Sequence, residues 1–130
     1  MRVERQLAVF LENKPGTLAK MCEALAEAGV DLIALTVSDT VDHAVVRIVA
    51  DKPDDAMHVL GNAGLLVVEN EVVLLSVPNR PGAVADLAAK LAQNDVNIEY
   101  AYCSAAPGQE EGIVIIRTRD AQRAVEVLGG

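Results

Sequence analysis

The amino-acid sequence predicts an α+β fold of two tandem βαββαβ modules, the second lacking its last strand. Three observations carry that reading. The stretch Asn13-Lys14-Pro15-Gly16 returns as Asn79-Arg80-Pro81-Gly82, a spacing of about 66 residues that marks an internal repeat. Each copy sits between a short apolar run rich in strand formers and an amphipathic helical run. After each helix come two further strand-like runs separated by a polar turn. The module boundaries fall at 1–70 and 71–130. With 52% hydrophobic residues in 130, and modules too small to bury much surface alone, the halves are expected to share a core or pack against another subunit.

Taken in order, residues 6–11 (Gln-Leu-Ala-Val-Phe-Leu) form an apolar run that suits a strand covered on both faces. Leu18, Met21, Cys22, Leu25 and Ala28 then follow helical spacing, and Gly29 stands where a left-handed helix stop belongs. Residues 32–38 and 44–49 read as strands flanking a polar turn at 39–43. Asp51-Lys52-Pro53-Asp54 is expected to cap the next helix, whose Ala56, Val59, Leu60 and Ala63 share a face. Gly64 closes it, and residues 65–68 make a fourth strand. The second copy repeats the order with a strand at 72–77 and a helix carrying Val84, Leu87, Ala88 and Leu91. A strand at 96–103 sets Val96, Ile98, Tyr100 and Tyr102 on one face, and another follows at 113–117. A last helix carries Ala121, Ala124, Val125 and Leu128, and no fourth strand follows. Only Glu69, Asn70 and Glu71 separate the strands at 65–68 and 72–77. That connection has hairpin length, so these strands are expected to pair and the first to help complete the second sheet.

The repeated turn is the candidate site. A Pro-Gly pair before a helix leads the chain into its first turn, whose amides point outward unpaired in a positively polarised setting. Such a terminus suits an anion, for example the carboxylate of a small metabolite. The plain alternative is a strand-to-helix connection without a ligand. Asn13 and Asn79 either accept from an ammonium group or brace the turn, and Lys14 and Arg80 either hold a carboxylate or are solvated.

Other chemistry is excluded by what the chain lacks. A formal charge of −8 argues against nucleic acid, which needs clustered cations, and Phe10, Tyr100 and Tyr102 are too few for a stacking platform. No apolar run is long enough to span a membrane. The start of the chain is unlike a signal peptide, and Cys22 and Cys103 read as reduced thiols, so a cytoplasmic location is expected. His43 and His58 have no nucleophile or carboxylate pair in a suggestive pattern, and no metal-ligand spacing exists. No catalytic residue, metal or cofactor is expected. An acylphosphatase-like hydrolase would need an arginine cradle on the first loop, which Arg80 and its neighbouring asparagines match only loosely.

The order strand-helix-strand-strand-helix-strand is that of the ferredoxin-like arrangement. Within it, Phe10-Leu-Glu-Asn-Lys-Pro-Gly-Thr-Leu-Ala with Leu25-Ala-Glu-Ala-Gly-Val-Asp-Leu resembles the signature of ACT domains, the amino-acid-sensing modules of metabolic enzymes. Val77-Pro-Asn-Arg-Pro-Gly-Ala-Val-Ala with Leu91-Ala-Gln-Asn-Asp-Val-Asn-Ile resembles it as well. The resemblance covers nearly the whole chain and is closest to small proteins made of two ACT domains. It implies a ligand at an interface between modules, held by the first loop, the start of the first helix and the second strand of a neighbour. Carried onto this sequence, the loop residues are Asn13, Lys14, Pro15, Gly16, Thr17 and Leu18, and in the second copy Asn79, Arg80, Pro81, Gly82, Ala83 and Val84. The neighbouring strand would be 33–36 or 99–102, with Glu99 facing an ammonium and Tyr100 or Tyr102 walling the pocket. The implied function is non-enzymatic binding of a small amino acid by a homodimer or larger assembly that regulates a separate metabolic enzyme. The alternative is an interaction subunit that binds no ligand and associates with such an enzyme.

Overall fold

The computed structural model describes residues 1–40 and 42–129. Val41, within the expected turn 39–43, and Gly130, at the end of the expected second module, lie outside the described residues. The elements run β1 (Arg2–Glu12), α1 (Thr17–Glu27), β2 (Leu32–Asp39), β3 (His43–Ala50), α2 (Pro53–Asn62), β4 (Leu66–Pro78), α3 (Ala83–Gln93), β5 (Tyr100–Ser104), β6 (Glu111–Arg117) and α4 (Ala121–Gly129). This is the α+β fold of two ferredoxin-like modules, and among the described residues no strand follows α4. The chain groups into two compact units, Arg5–Asn70 and Met1–Glu4 with Glu71–Gly130.

In the unit Arg5–Asn70 the strand order is β2-β3-β1-β4. β1 and β3 are antiparallel, with Leu7 opposite Ile48 and Val9 opposite Val46, and directly opposed residues share a face. That face carries Leu7, Val9, Leu11, Val46 and Ile48 against Met21 and Leu25 of α1 and Ala56 and Leu60 of α2. The predicted helix stripes are thus the buried ones, and Cys22 packs against the same core. Leu65 and Val67 also join this core. At the end of the unit the Gln6 amide, fully buried, donates to Asn70 Oδ1 at 3.1 Å. Beside it Arg5 pairs with Glu69 and, at 2.8 Å, with Asp54. Glu69 first and Asp54 second hold the guanidinium further into its charged form.

The other unit has the order β1-β4-β6-β5, with Leu75 of β4 opposite Val114 of β6 and Val73 opposite Ile116. These four meet Leu91 of α3 and Ala121, Ala124 and Val127 of α4. Val127 lies outside the predicted stripe of α4. Val3, from the first residues of β1, packs against this core. The missing fourth strand is therefore supplied by the start of the chain.

Three expectations are corrected. Residues 65–68 and 72–77 are not arms of a hairpin, because β4 runs unbroken through Glu69, Asn70 and Glu71. A two- or three-residue reversal needs positive φ, and among the described non-glycine residues only Asp95 has it, at 58°. Residues 1–4 group with Glu71–Gly130 in the folded chain. The strand expected at 96–103 begins only at Tyr100. Left-handed Asp95 and the irregular residues after it break the alternation: Val96 and Ile98 pack toward the helices, while Tyr102 stands opposite Ile115 on the other face. Lastly, α2 has no side-chain cap: Lys52 occupies that position, and Asp51 instead accepts the amide of Asp31 at 2.8 Å. Proline at its first turn and Asp54 and Asp55 beside it begin the helix.

On the helix-free side of the central strands Ala8 is buried in the single chain at 7% exposure and Val49, Val72 and Ile115 at 0–1%, while Phe10 and Val45 are half-buried.

Candidate functional site

Both repeated turns are built alike. Gly16 and Gly82 occupy the residue before α1 and α3 with φ of 91° and 89°, a left-handed conformation that glycine adopts without a Cβ clash. Proline supplies the preceding bend. Neither helix has a capping side chain. The first intrahelical acceptors are the carbonyls of Gly16 and Gly82, bonded by the amides of Lys20 at 3.0 Å and Asp86 at 2.9 Å. The amides of Thr17 and Ala83 turn back to Lys14 and Arg80 at 3.5 and 3.3 Å. Among the described residues, the amides of Leu18 and Ala19, and of Val84 and Ala85, find no backbone acceptor. Four outward N–H groups at positively polarised helix ends are left for solvent or an anion. Ala19 and Ala85 are absent from the sequence-derived set. The signal for them lies in helix geometry, which leaves the first amides unpaired whatever the side chains.

The asparagines anchor these turns. Asn13 donates its backbone amide to Asp42 O at 3.4 Å and its side-chain amide to Thr40 O at 3.3 Å. Asn79 does the same to the longer loop of its module, donating its backbone amide to Glu110 O at 2.8 Å. Its side-chain amide reaches Gln109 O at 2.9 Å and Ala106 O at 3.4 Å. Carbonyl partners fix the amide orientation, since only the nitrogen can donate. The bracing role is therefore the one the geometry displays, and Oδ1 is the atom left to accept from another group.

The side chains around the two turns differ. Thr17 Oγ1 donates within the first loop, to Glu12 O at 2.8 Å and Lys14 O at 3.1 Å, while its counterpart Ala83 is buried and has no hydroxyl. Lys14 Nζ lies 2.8 Å from Glu12, which its ammonium holds below the usual carboxylate range while its own acidity falls in turn. Arg80 lies 3.2 Å from Asp86 and also donates to Pro81 O at 3.2 Å. Asp86 sits in the first turn of α3, where the sequence places Lys20 in α1. The first turn of α1 holds no acid, so its terminus stays the more attractive to an anion.

The structure also places the remaining candidates. Leu18 and Val84 are 36% and 48% exposed at the helix starts. On the edge strand β2, Leu35 and Val37 stand opposite Ile48 and Val46, hence on the helix side, and remain 38% and 45% exposed. β1 and β2 are both antiparallel to β3, so their C-terminal ends and the loop Asn13 to Gly16 lie at one end of the sheet. Glu99 precedes β5 and its amide bonds Arg117 O at 2.9 Å. Tyr100 and Tyr102, opposite Arg117 and Ile115, lie on the helix-free side, away from the start of α3. His58 bonds Asn62 at 3.1 Å, and His43 is exposed at the start of β3. Among the described residues no group of His, Cys, Asp and Glu could hold a metal ion, and no helix is long and apolar enough to cross a membrane.

Comparison with known proteins adds the family context. The family profile described as ACT domain pair matches residues 1–129. Protein BT0572 from Bacteroides thetaiotaomicron is similar over 98% of this chain and 87% of its own, with 35% identity and a TM-score of 0.91. The ligand-free regulatory subunit of aspartate kinase from Thermus thermophilus is similar in fold, with 19% identity, a TM-score of 0.73, and 98% and 93% of the two chains covered. The corresponding subunit from Thermus flavus gives 20% identity, a TM-score of 0.68, and 98% and 94% coverage. A comparison with curated proteins finds no match.

Proposed function

Because the chain belongs to the ACT domain pair family, we propose that it is a non-enzymatic regulatory protein that binds a small amino acid at its repeated Pro-Gly turns. The observation that carries this reading is the uncapped start of α1, with free amides at Leu18 and Ala19 and with Lys14 beside it. A ligand carboxylate would take these amides, and Asn13 Oδ1 would accept from its ammonium group. The second turn, at Asn79, Arg80, Pro81, Gly82, Ala83 and Val84, offers the same backbone, but Asp86 and the Arg80 pair make it the weaker carboxylate site. Pro15, Gly16 and Thr17 shape the first turn. The site is completed by a neighbouring copy, whose β2 edge with Leu35 and Val37 supplies the apolar wall, so a homodimer is part of the proposal. The regulated partner is a separate metabolic enzyme, and the setting is the cytoplasm.

A second reading, an interaction subunit without a ligand, draws on one observation. Asn13, Thr17, Lys14 and Arg80 all have partners within the chain, at Thr40, Glu12, Glu12 and Asp86 respectively. The test is the thermal midpoint of the protein against each of the 20 amino acids at millimolar concentration, with light scattering on the same samples. Ligand at 100 times its dissociation constant adds about 2.7 kcal/mol, an upward shift of several degrees. A shift for one chemical subset, lost in Lys14→Ala, supports the sensor. Twenty unchanged midpoints from a stable oligomer support the second reading.

A further inference from the structure

The grouping of the strands carries an inference that needs no ligand. The unit Arg5–Asn70 is one continuous segment, closed by Leu65 and Val67 at the end of its own sequence. The other unit is discontinuous, and its sheet is closed by residues 2–4 through Val3. Those residues are the beginning of β1, whose remainder is the strand between β3 and β4 in the first unit. Val3 is therefore held in place by a strand that Leu7, Val9 and Leu11 fix in the first core. An unfolded first unit leaves β1 free and removes that support. An open second unit leaves the first with every strand and both helices it uses.

We propose that the two units are ordered hierarchically: the second opens while the first stays folded, and the first does not open unless the second has opened. The candidate loop after β1 extends from the same strand that closes the second unit. On the binding role proposed above, a ligand held by this loop alone steadies the first unit and leaves the second unit's own opening unchanged.

Native-state hydrogen exchange on the full chain tests this, under conditions in which exchange reports opening equilibria. Amides of Val114 and Ile116 are expected to exchange through a less costly opening than those of Val46 and Ile48. Two mild core substitutions separate the possibilities. Ile116→Val weakens the second unit and is expected to speed exchange in both units by the same factor, about two- to tenfold, because global opening includes the second unit. Ile48→Val is expected to speed exchange only in the first unit, because the second unit's own opening leaves the first core intact. Val3→Ser is expected to behave like Ile116→Val. The proposal is overturned if Ile116→Val acts on the second unit alone, which describes independent units. It is equally overturned if Ile48→Val speeds both, which describes a single all-or-none unit. No effect of Val3→Ser on Val73 and Ile116 would show that residues 2–4 do not close the sheet. None of these readouts involves an amino acid, so the hierarchy and the binding role fail separately.

Discussion

Asn79 shows how a turn residue acts at the scale of single atoms: with one side-chain nitrogen and one backbone amide it holds the loop between β5 and β6 against the start of α3. Asn79→Ala is expected to cost about 1 kcal/mol in a urea titration, as these bonds are partly open to water. Thr118 presents the opposite case. Its hydroxyl is buried at 1% exposure and, among the described residues, has no hydrogen-bond partner. Thr118→Val removes the unsatisfied group while keeping the shape, and is expected to leave the thermal midpoint unchanged or raise it. Glu12 supplies a pH dependence. Lys14 lowers its pKa in the folded state, so the pairing is present above the ordinary carboxylate range and lost as pH falls through the depressed value. An NMR titration is expected to place Glu12 below the usual carboxylate midpoint, and Lys14→Ala to return it there. Asn13, Asn79 and the two glycines were legible in the sequence because they recur at one spacing. The partners of Lys14 and Arg80 were not, since several neighbouring carboxylates satisfy the same pattern.

At the scale of elements, the helices and their buried stripes follow from 3.6-residue periodicity, and all four appear where apolar residues repeat at that spacing. The long strands do not announce themselves in this way. Arg2, Glu4 and Arg5 at the start of β1, and Glu69, Asn70 and Glu71 inside β4, read locally as polar punctuation. In the folded chain Arg2 pairs with Glu4, and Arg5 with Glu69. Gln6 bonds Asn70, a partner 64 positions away that no local window contains. The hairpin between β5 and β6 depends on a different feature. A Cβ on Gly112 would come within 2.9 Å of both Ser104 O and Ala105 Cβ, so the two arms approach closely only with glycine there. Gly112→Ala is expected to destabilise the protein by about 1–3 kcal/mol and to loosen the loop that Asn79 holds, visible as faster exchange of the Asn79 amide.

For the whole molecule, the family and the two-module fold were within reach of the sequence, while the discontinuous second unit was not. No property of Met1-Arg2-Val3-Glu4 by itself says that these residues belong with a segment beginning at Glu71. The proposed dimer adds an expectation at this scale. Leu35→Lys and Val37→Lys place charges on the exposed edge of β2, and light scattering is expected to show a monomer that no longer responds to amino acids. A dimer that persists would place the interface elsewhere.

The use of β1 by both units also bears on how the protein is made. A ribosome delivers residues 1–70 first, and these already hold every strand and helix of the unit Arg5–Asn70. During synthesis this half can fold early, displaying Val3 on a finished strand before β4 is complete. The later half then emerges onto a template set by the first, and its sheet grows from an edge that is already in place.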